Sequence, residues 1–288
     1  MPLVSIGPAL KRAQAEDFAV PLFDAFDSTS IDGIFTAAEE KSAPVIVALY
    51  TGILDHPNAR PLAEYIRARA DASPIPATLM LDHGGSFEHV VKALTLGFTD
   101  VMYDGSKLPF EENIANTRAV VRAAHAVGVP VEAELGHVGM GSEYAIFGGL
   151  RKGFTDPATV EQFVTETGVD FLAVAIGNAH GVYQGEPNLD IDLLREIRQR
   201  VDIPLVLHGG SGILEEQFRT AITNGIAKIN IATDLYMTAA KCISDRALAD
   251  KGNVDRGSYG AYSLIATESF RERCGYYLEL FGAAGKAK

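Results

Sequence analysis

The chain has 288 residues, of which 47% are apolar, so it is long enough to bury a large core. Its net charge of −12 disfavours a nucleic-acid partner, because such proteins concentrate Lys and Arg to bind phosphates. No apolar run approaches membrane-spanning length and the N-terminus lacks a signal-peptide pattern, so no membrane association is expected.

Short runs rich in Val, Ile and Leu recur along the chain and alternate with helix-length amphipathic stretches, a pattern typical of repeated βα units. The predicted strands cover about 19–23, 44–49, 77–82, 99–103, 130–134, 170–176, 204–208 and 227–231. In one intervening helix, Val90, Val91, Leu94 and Phe98 are predicted to share the buried face. Eight alternations without a linker favour a single-domain α/β protein over residues 1–288, a (β/α)₈ TIM barrel.

Barrel enzymes carry their chemistry at the C-terminal ends of the strands, and polar residues fall at those ends here. They are Asp24, Asp82, His83, Asp104, Glu132, Glu134, His180, His208 and Asn230. Each of the three histidines follows a short apolar run and precedes a glycine. One such histidine is more often structural, but three neutral imidazoles with an open fourth position form a catalytic zinc arrangement. Asp104, followed by Gly105 and Ser106, equally fits a turn or a helix cap.

Two turns after the last two strands are candidates for binding an anion. His208 is followed by a Gly-Gly-Ser-Gly turn that leads into a helix, and Asn230 by an Ile-Ala-Thr-Asp segment. Glycines allow close backbone approach, and free N–H groups at a helix start attract anions. Either turn alone is more often just a tight connection. Together, after strands seven and eight, they favour a phosphorylated substrate.

Five motifs, in order along about residues 20 to 240, resemble the zinc-dependent class II ketose-phosphate aldolases, which include fructose- and tagatose-bisphosphate aldolases. They are Leu81-Asp-His-Gly84, Val131-Glu-Ala-Glu-Leu-Gly136, Ala173-Val-Ala-Ile-Gly-Asn-Ala-His-Gly181, Leu207-His-Gly-Gly-Ser-Gly212 and Lys228-Ile-Asn-Ile-Ala-Thr-Asp234. The resemblance implies a Zn²⁺ cofactor on His83, His180 and His208. Zn²⁺ can polarise a ketone and stabilise the enediolate left after cleavage, which removes the need for a Schiff-base lysine.

The resemblance also implies roles for other residues. Asp82 would perform acid/base work on the carbon–carbon bond, and Asn230 would hydrogen-bond the enediolate. Asp104 and Glu134 resemble ligands of a secondary metal site. The phosphate and a monovalent cation (Na⁺ or K⁺) would be bound by Gly181, Gly209, Gly210, Ser211, Asn230, Ala232 and Thr233.

Glu143 lies among small residues in Gly139-Met-Gly-Ser-Glu-Tyr144, which predicts a mobile loop after strand five. The resemblance implies a loop glutamate that exchanges a proton with the enediolate. A solvated glutamate without a catalytic role is the ordinary alternative.

The chain departs from the family pattern at two places that concern the far end of the substrate. Asp24 stands where family members carry asparagine, and it adds an acceptor-only carboxylate. The family arginine that meets a distal phosphate is missing from the stretch 255–262, where Arg256 is out of register. Both departures favour a ketose 1-phosphate with an unphosphorylated tail.

Lys228 and Asn230 are two residues apart in one predicted strand, as are Glu132 and Glu134 in another. Residues two apart in a strand face the same side, so all four side chains are predicted to point into the barrel. A buried ion pair between Lys228 and Glu132 is the plainer interpretation, because an unpaired interior charge is costly. A Schiff-base lysine is the alternative.

The sequence and the resemblance together predict a zinc-dependent aldolase. It would reversibly cleave a ketose 1-phosphate, or a ketose 1,6-bisphosphate, to dihydroxyacetone phosphate and an aldehyde. The resemblance implies a homodimer or homotetramer. Cys242 and Cys274 are too few for a disulfide framework, which predicts reduced thiols and a cytoplasmic location. Two alternatives are a non-catalytic barrel subunit that supports another aldolase chain, and a metal-free phosphate-binding barrel isomerase or synthase.

Overall fold

A computed structural model describes residues 2–143, 151, 153–251, 253, 255 and 257–287. Eight parallel strands close into a barrel. They are β1 (Val20–Asp24), β2 (Val45–Tyr50), β3 (Ala77–Gly84), β4 (Asp100–Tyr103), β5 (Val131–Leu135), β7 (Phe171–Val174), β9 (Leu205–Leu207) and β10 (Ile226–Ile231). Their order around the barrel is β1-β10-β9-β7-β5-β4-β3-β2. Two short strands, β6 (Gly139–Met140) and β8 (Ala179–His180), pair outside the barrel. The predicted TIM barrel is confirmed.

Helices follow the strands and cover the outside of the barrel. They are α1 (Gly7–Ala15), α2 (Ser28–Glu40), α3 (Thr51–Leu54), α4 (Ala59–Ala72), α5 (Phe87–Thr95), α6 (Phe110–His125), α7 (Pro157–Thr167), α8 (Ile191–Arg198), α9 (Glu215–Thr223), α10 (Thr233–Ala249) and α11 (Ser258–Leu280). None of these helices, within the described ranges, is long and apolar enough to cross a membrane.

The predicted strand positions agree with the structure to within two residues at each end, because each strand is an apolar run buried on both faces. The helix prediction for 90–98 was partly wrong. Val90 and Ala93 are buried, whereas Val91 is exposed and Phe98 lies beyond the end of α5. Val91 follows Val90 directly, so it lies about 100° around the helix and faces away from the barrel.

The end of β3 carries a local irregularity that positions the first functional histidine. The register between β3 and β4 shifts between Leu81 and Gly84. Within this step His83 adopts a φ of +49°, in the left-handed region that non-glycine residues rarely occupy. The hydroxyl of Thr51 donates to the backbone carbonyl of His83 and anchors the turn. Such strain commonly marks a functional position.

Candidate active site

Three histidine side chains from separate parts of the chain converge at the C-terminal end of the barrel. His83 ends β3, His180 ends β8 and His208 directly follows β9. Nε2 of His83 lies 3.1 Å from Nε2 of His180 and 2.9 Å from Nδ1 of His208. The closed barrel brings together residues that are 97 and 125 positions apart. The structure therefore assembles the three histidines that the sequence singled out.

Two carboxylates hold the outward nitrogens of this cluster. Oδ2 of Asp104 lies 2.9 Å from Nδ1 of His83, and Oε1 of Glu132 lies 2.8 Å from Nε2 of His208. A carboxylate on one ring nitrogen keeps the proton there and leaves the lone pair of the other nitrogen facing inward. These contacts fix His83 to present Nε2 and His208 to present Nδ1 at the centre.

The electrostatic environment favours one positive charge in the cluster. Burial opposes protonation of His83, but the neighbouring Asp82 and Asp104 carboxylates outweigh it and raise the pKa of His83 to about 10. Burial and the charge on His83 lower the pKa of His180 to about 3. Burial, with His83 and Lys228, lowers the pKa of His208 well below its usual range.

The donor set fits a transition-metal cation. The three inward nitrogens lie within 4.8 Å of one another, close enough to bind one cation together. A cation would replace the single positive charge that the surrounding carboxylates favour. Three imidazoles form the ligand set of catalytic zinc sites, which keep a fourth position open.

A second acidic cluster adjoins His83. His83, Asp104 and Glu134 also bring one ligand atom each within 4.8 Å of one another. Oε1 of Glu134 accepts from the backbone of Val138 at 3.0 Å, while its buried Oε2 has no hydrogen-bond partner within the described part of the chain. Burial and the Asp104 carboxylate raise the pKa of Glu134 to about 8. The structure thus brings together the two acids, Asp104 and Glu134, that the resemblance named for a secondary metal site.

A buried hydrogen-bond network links the floor of the barrel to Asp82. Nζ of Lys228 lies 2.9 Å from Oε2 of Glu132 and donates to Oδ1 of Asn230 at 2.8 Å. Nδ2 of Asn230 in turn donates to Oδ1 of Asp82 at 2.8 Å. Both Lys228 and Glu132 are completely buried. The predicted ion pair is present, and these partners hold the lysine ammonium.

The glycine-rich turn after β9 packs closely against the segment that carries His180. Gly209 has a φ of +62°, and a Cβ there would overlap the carbonyl oxygen of Ala179, so only glycine fits. The hydroxyl of Tyr183 receives a bond from the Ala179 amide at 2.7 Å and donates to the Gly209 carbonyl at 2.9 Å. The amide of Gly210 donates to the carbonyl of Asn230 at 3.1 Å, so the backbone occupies that donor.

These groups line one pocket of about 350 Å³ at the C-terminal face of the barrel. Its walls are Asp24, Phe26, Tyr50, Asp82, His83, Met140, His180, Gly181, His208, Gly209, Ser211, Asn230, Ala232, Thr233 and Tyr236. Eleven of these positions, Asp24 among them, were singled out from the sequence. The sequence reasoning missed the other four, which are Phe26, Tyr50, Met140 and Tyr236. Tyr50 ends β2, so a search of strand ends that included aromatic residues would have found it.

The predicted loop acid, Glu143, is not among the residues that line this pocket. Glu143 is exposed at the end of a short 3₁₀ turn, Gly141–Glu143. The residues that follow it, 144–150, lie outside the described part of the chain, as does Arg256.

A closed parallel barrel whose polar groups converge at the C-terminal ends of its strands is the architecture of a barrel enzyme. The sequence profile of the family described as Fructose-bisphosphate aldolase class-II matches residues 4–286. The chain therefore belongs to the class II fructose-bisphosphate aldolase family, a family of lyases that is generally metal-dependent and acts on phosphorylated sugars.

Individual relatives match over nearly the whole chain. YdjI of Escherichia coli (strain K12) is 38% identical over 277 residues, 96% of each chain. The crystal structure of the YdjI aldolase has a TM-score of 0.88 at 34% identity, covering 99% of this chain and 100% of that chain. A probable fructose-bisphosphate aldolase of Bacillus subtilis (strain 168) is 37% identical over 290 residues, with full coverage of both. The 6-phospho-5-dehydro-2-deoxy-D-gluconate aldolase of Bacillus velezensis is 39% identical over 290 residues, 100% of this chain and 98% of that protein.

Proposed function

We propose that this protein is a zinc-dependent aldolase that reversibly cleaves a ketose 1-phosphate to dihydroxyacetone phosphate and an aldehyde. The observation that carries the proposal is the convergence of three imidazoles beside the buried Asp82 in one pocket. Family membership supports the aldol chemistry, and the donor set of His83, His180 and His208 supports zinc.

The proposed division of labour follows from the positions of the side chains. Zinc held by the three histidines would polarise the substrate ketone and stabilise negative charge on it. Asp82 removes the proton from the hydroxyl that becomes the aldehyde carbonyl, while the carbon–carbon bond breaks and its electron pair passes to the dihydroxyacetone phosphate fragment. Asn230, which already donates to Asp82, hydrogen-bonds the oxygens of that fragment. Glu143 is the proposed donor of the proton that the fragment then takes up.

The phosphate of this fragment is proposed to bind on the turns after β8, β9 and β10. Gly181, Gly209, Ser211 and Thr233 line the pocket there, next to the start of α10. Backbone donors at a helix start can hold an anion in a protein of strongly negative net charge. A ligand-bound structure that places phosphate at the opposite face of the barrel would contradict this assignment.

The substrate is proposed to be a monophosphate. Among the pocket-lining residues that the structure describes there is no Lys or Arg, whereas Asp24 and Asp82 both line the pocket. A second phosphate dianion would therefore lack a charge-assisted hydrogen bond. The Bacillus velezensis relative is named for a substrate with one phosphate, so the fold accommodates such a compound.

Secondary features of the proposal come from the sequence. Asp104 and Glu134 are proposed to bind a second or displaced metal cation. The turns that are proposed to bind the phosphate are also proposed to bind a monovalent cation. The single domain, the homodimer or homotetramer and the cytoplasmic location stay predictions.

The direct test is to measure metal content and turnover in the same preparations. We expect about one zinc per chain in the unmodified protein, and loss of both metal and activity in His208→Ala. His56→Ala is the matched control, because His56 is exposed in the turn after α3. Full activity in a metal-free His208→Ala protein, or insensitivity to chelators, would instead favour a metal-free barrel isomerase or synthase. Zinc binding without turnover of any ketose phosphate would favour a non-catalytic subunit.

A further inference from the structure

Asp234 places a negative charge at the helix end that is proposed to face the phosphate. It lies in the first turn of α10, and its backbone amide donates to the hydroxyl of Ser211 at 3.0 Å. A cavity of about 280 Å³ adjoins the pocket. Asp234 lines this cavity, and Gly181, Ser211 and Thr233 line both. A carboxylate at this position would repel a phosphate and weaken the attraction of the helix N-terminus for anions.

An arginine from α11 opposes this charge. Nε of Arg273 donates to Oδ2 of Asp234, and the hydroxyl of Tyr277 donates to the same oxygen at 2.8 Å. The side chain of Arg273 is 32% exposed and that of Asp234 is 25% exposed, so water screens the pair only in part. Arg273 is not among the described residues that line either cavity. Its charge would therefore affect a ligand through Asp234 and not by direct contact.

The same segment of α11 also holds the start of α9. The hydroxyl of Tyr276 donates to Oε1 of Glu215, the first residue of α9, at 2.8 Å. The guanidinium of Arg273 lies over the rings of Tyr276 and Tyr277, at 4.3 and 5.0 Å from their centroids. Stacking on aromatic rings orients an arginine as well as holding its charge. Since α9 and α10 follow the turns after β9 and β10, α11 fixes the helix ends next to both turns.

We propose that Arg273 is a positioning residue for phosphate binding, which neutralises Asp234 and holds its carboxylate toward α11. This inference rests on the proposed function and extends its phosphate site to a residue outside the pocket. The ion pair removes the repulsion between Asp234 and the phosphate, while the backbone donors of the turns bind the phosphate itself.

The test is the Kd of dihydroxyacetone phosphate, measured by calorimetry on zinc-loaded protein. In Arg273→Gln the Asp234 carboxylate is unopposed, and Kd should rise at least about fivefold. When Asp234→Asn is added to Arg273→Gln, the unopposed charge is gone, and Kd should return to within about twofold of the unmodified value. A purely structural role would give no such recovery, because the double variant lacks both members of the ion pair. Asp234→Asn alone should bind at least about twofold more tightly, because the charge of Arg273 is then unopposed.

Two further variants control for charge and for the loss of an ion pair. Arg273→Lys keeps the positive charge, so its Kd should stay within about threefold of the unmodified value. Arg246→Gln is the matched control, because it breaks an arginine–aspartate pair of 2.9 Å with Asp250 at the other end of α10. Its Kd should equal that of the unmodified protein.

The outcomes separate this inference from the proposed function. An unchanged Kd in Arg273→Gln, or a double variant that binds no better than Arg273→Gln, would overturn the role of Arg273 and leave the aldolase function standing. Unchanged or weaker binding in Asp234→Asn would do the same, and this variant tests the charge even if Arg273→Gln does not fold. Failure of the unmodified protein to bind dihydroxyacetone phosphate would overturn the proposed function and this inference with it.

Discussion

The buried ammonium of Lys228 donates a hydrogen bond of 2.8 Å to the side-chain oxygen of Asn230. This bond orients the amide, because an oxygen that faces Lys228 leaves the NH₂ group to donate to Asp82. Through Glu132, the same lysine also supports the carboxylate that holds Nε2 of His208. One buried cation thus positions both the proposed acid/base and a proposed metal ligand.

Lys228→Met should therefore destabilise the protein. The substitution leaves Glu132 buried without its cation, and breaking a buried pair in this way costs about 3–5 kcal/mol of the free energy of unfolding. Urea unfolding followed by circular dichroism measures the change. Lys241→Met is the matched control, because Lys241 pairs with Asp245 on the surface and is 74% exposed, so its unfolding midpoint should not move. Equal midpoints for the two variants would show that the buried pair contributes little.

The barrel could be predicted from the sequence because the fold itself requires the two patterns that the sequence shows. Each strand must be a short apolar run, and the polar residue that ends it must face the common pocket. His83, His180 and His208 were recognisable from this context alone. The aromatic residues of the pocket, Phe26, Tyr50 and Tyr236, were not, since Phe and Tyr residues have no distinctive spacing. Their position depends on the packing of Phe26 against Tyr236, which are 210 positions apart and meet only when the barrel closes.

Asp82→Asn should slow cleavage by roughly 10²–10⁴-fold in kcat, the range expected for a positioned acid/base group. The variant should keep its metal, because Asp82 is not one of the three proposed ligands. Turnover and metal content measured on the same sample separate these two effects. Asp192→Asn, at a side chain that is 83% exposed, should behave as the unmodified protein. Near-normal turnover in Asp82→Asn would remove this residue from the mechanism.

Gly209→Ala should weaken binding of the phosphorylated substrate. A methyl group there would overlap the carbonyl of Ala179 and displace the turn that is proposed to hold the phosphate. Gly128→Ala is a close control, since Gly128 also has a positive φ of +76° but has no atom within 4 Å of the added Cβ. Both variants should lose about 1–2 kcal/mol of stability from backbone strain. Only Gly209→Ala should also raise KM, and an unchanged KM would argue against this turn as the phosphate site.

The preference for a monophosphate is the strictest test of the proposed substrate. The described residues that line the pocket supply two carboxylates and no cationic side chain, so a second phosphate would be bound without compensation. We expect kcat/KM for at least one ketose 1-phosphate to exceed that for fructose 1,6-bisphosphate and tagatose 1,6-bisphosphate. The measurement is cleavage of all three under identical zinc loading. A bisphosphate preferred by more than about tenfold, or about 1.4 kcal/mol in transition-state binding, would mean that a cation absent from this pocket reaches the distal phosphate. Arg256 and an arginine contributed by a neighbouring subunit would then be the first candidates to substitute.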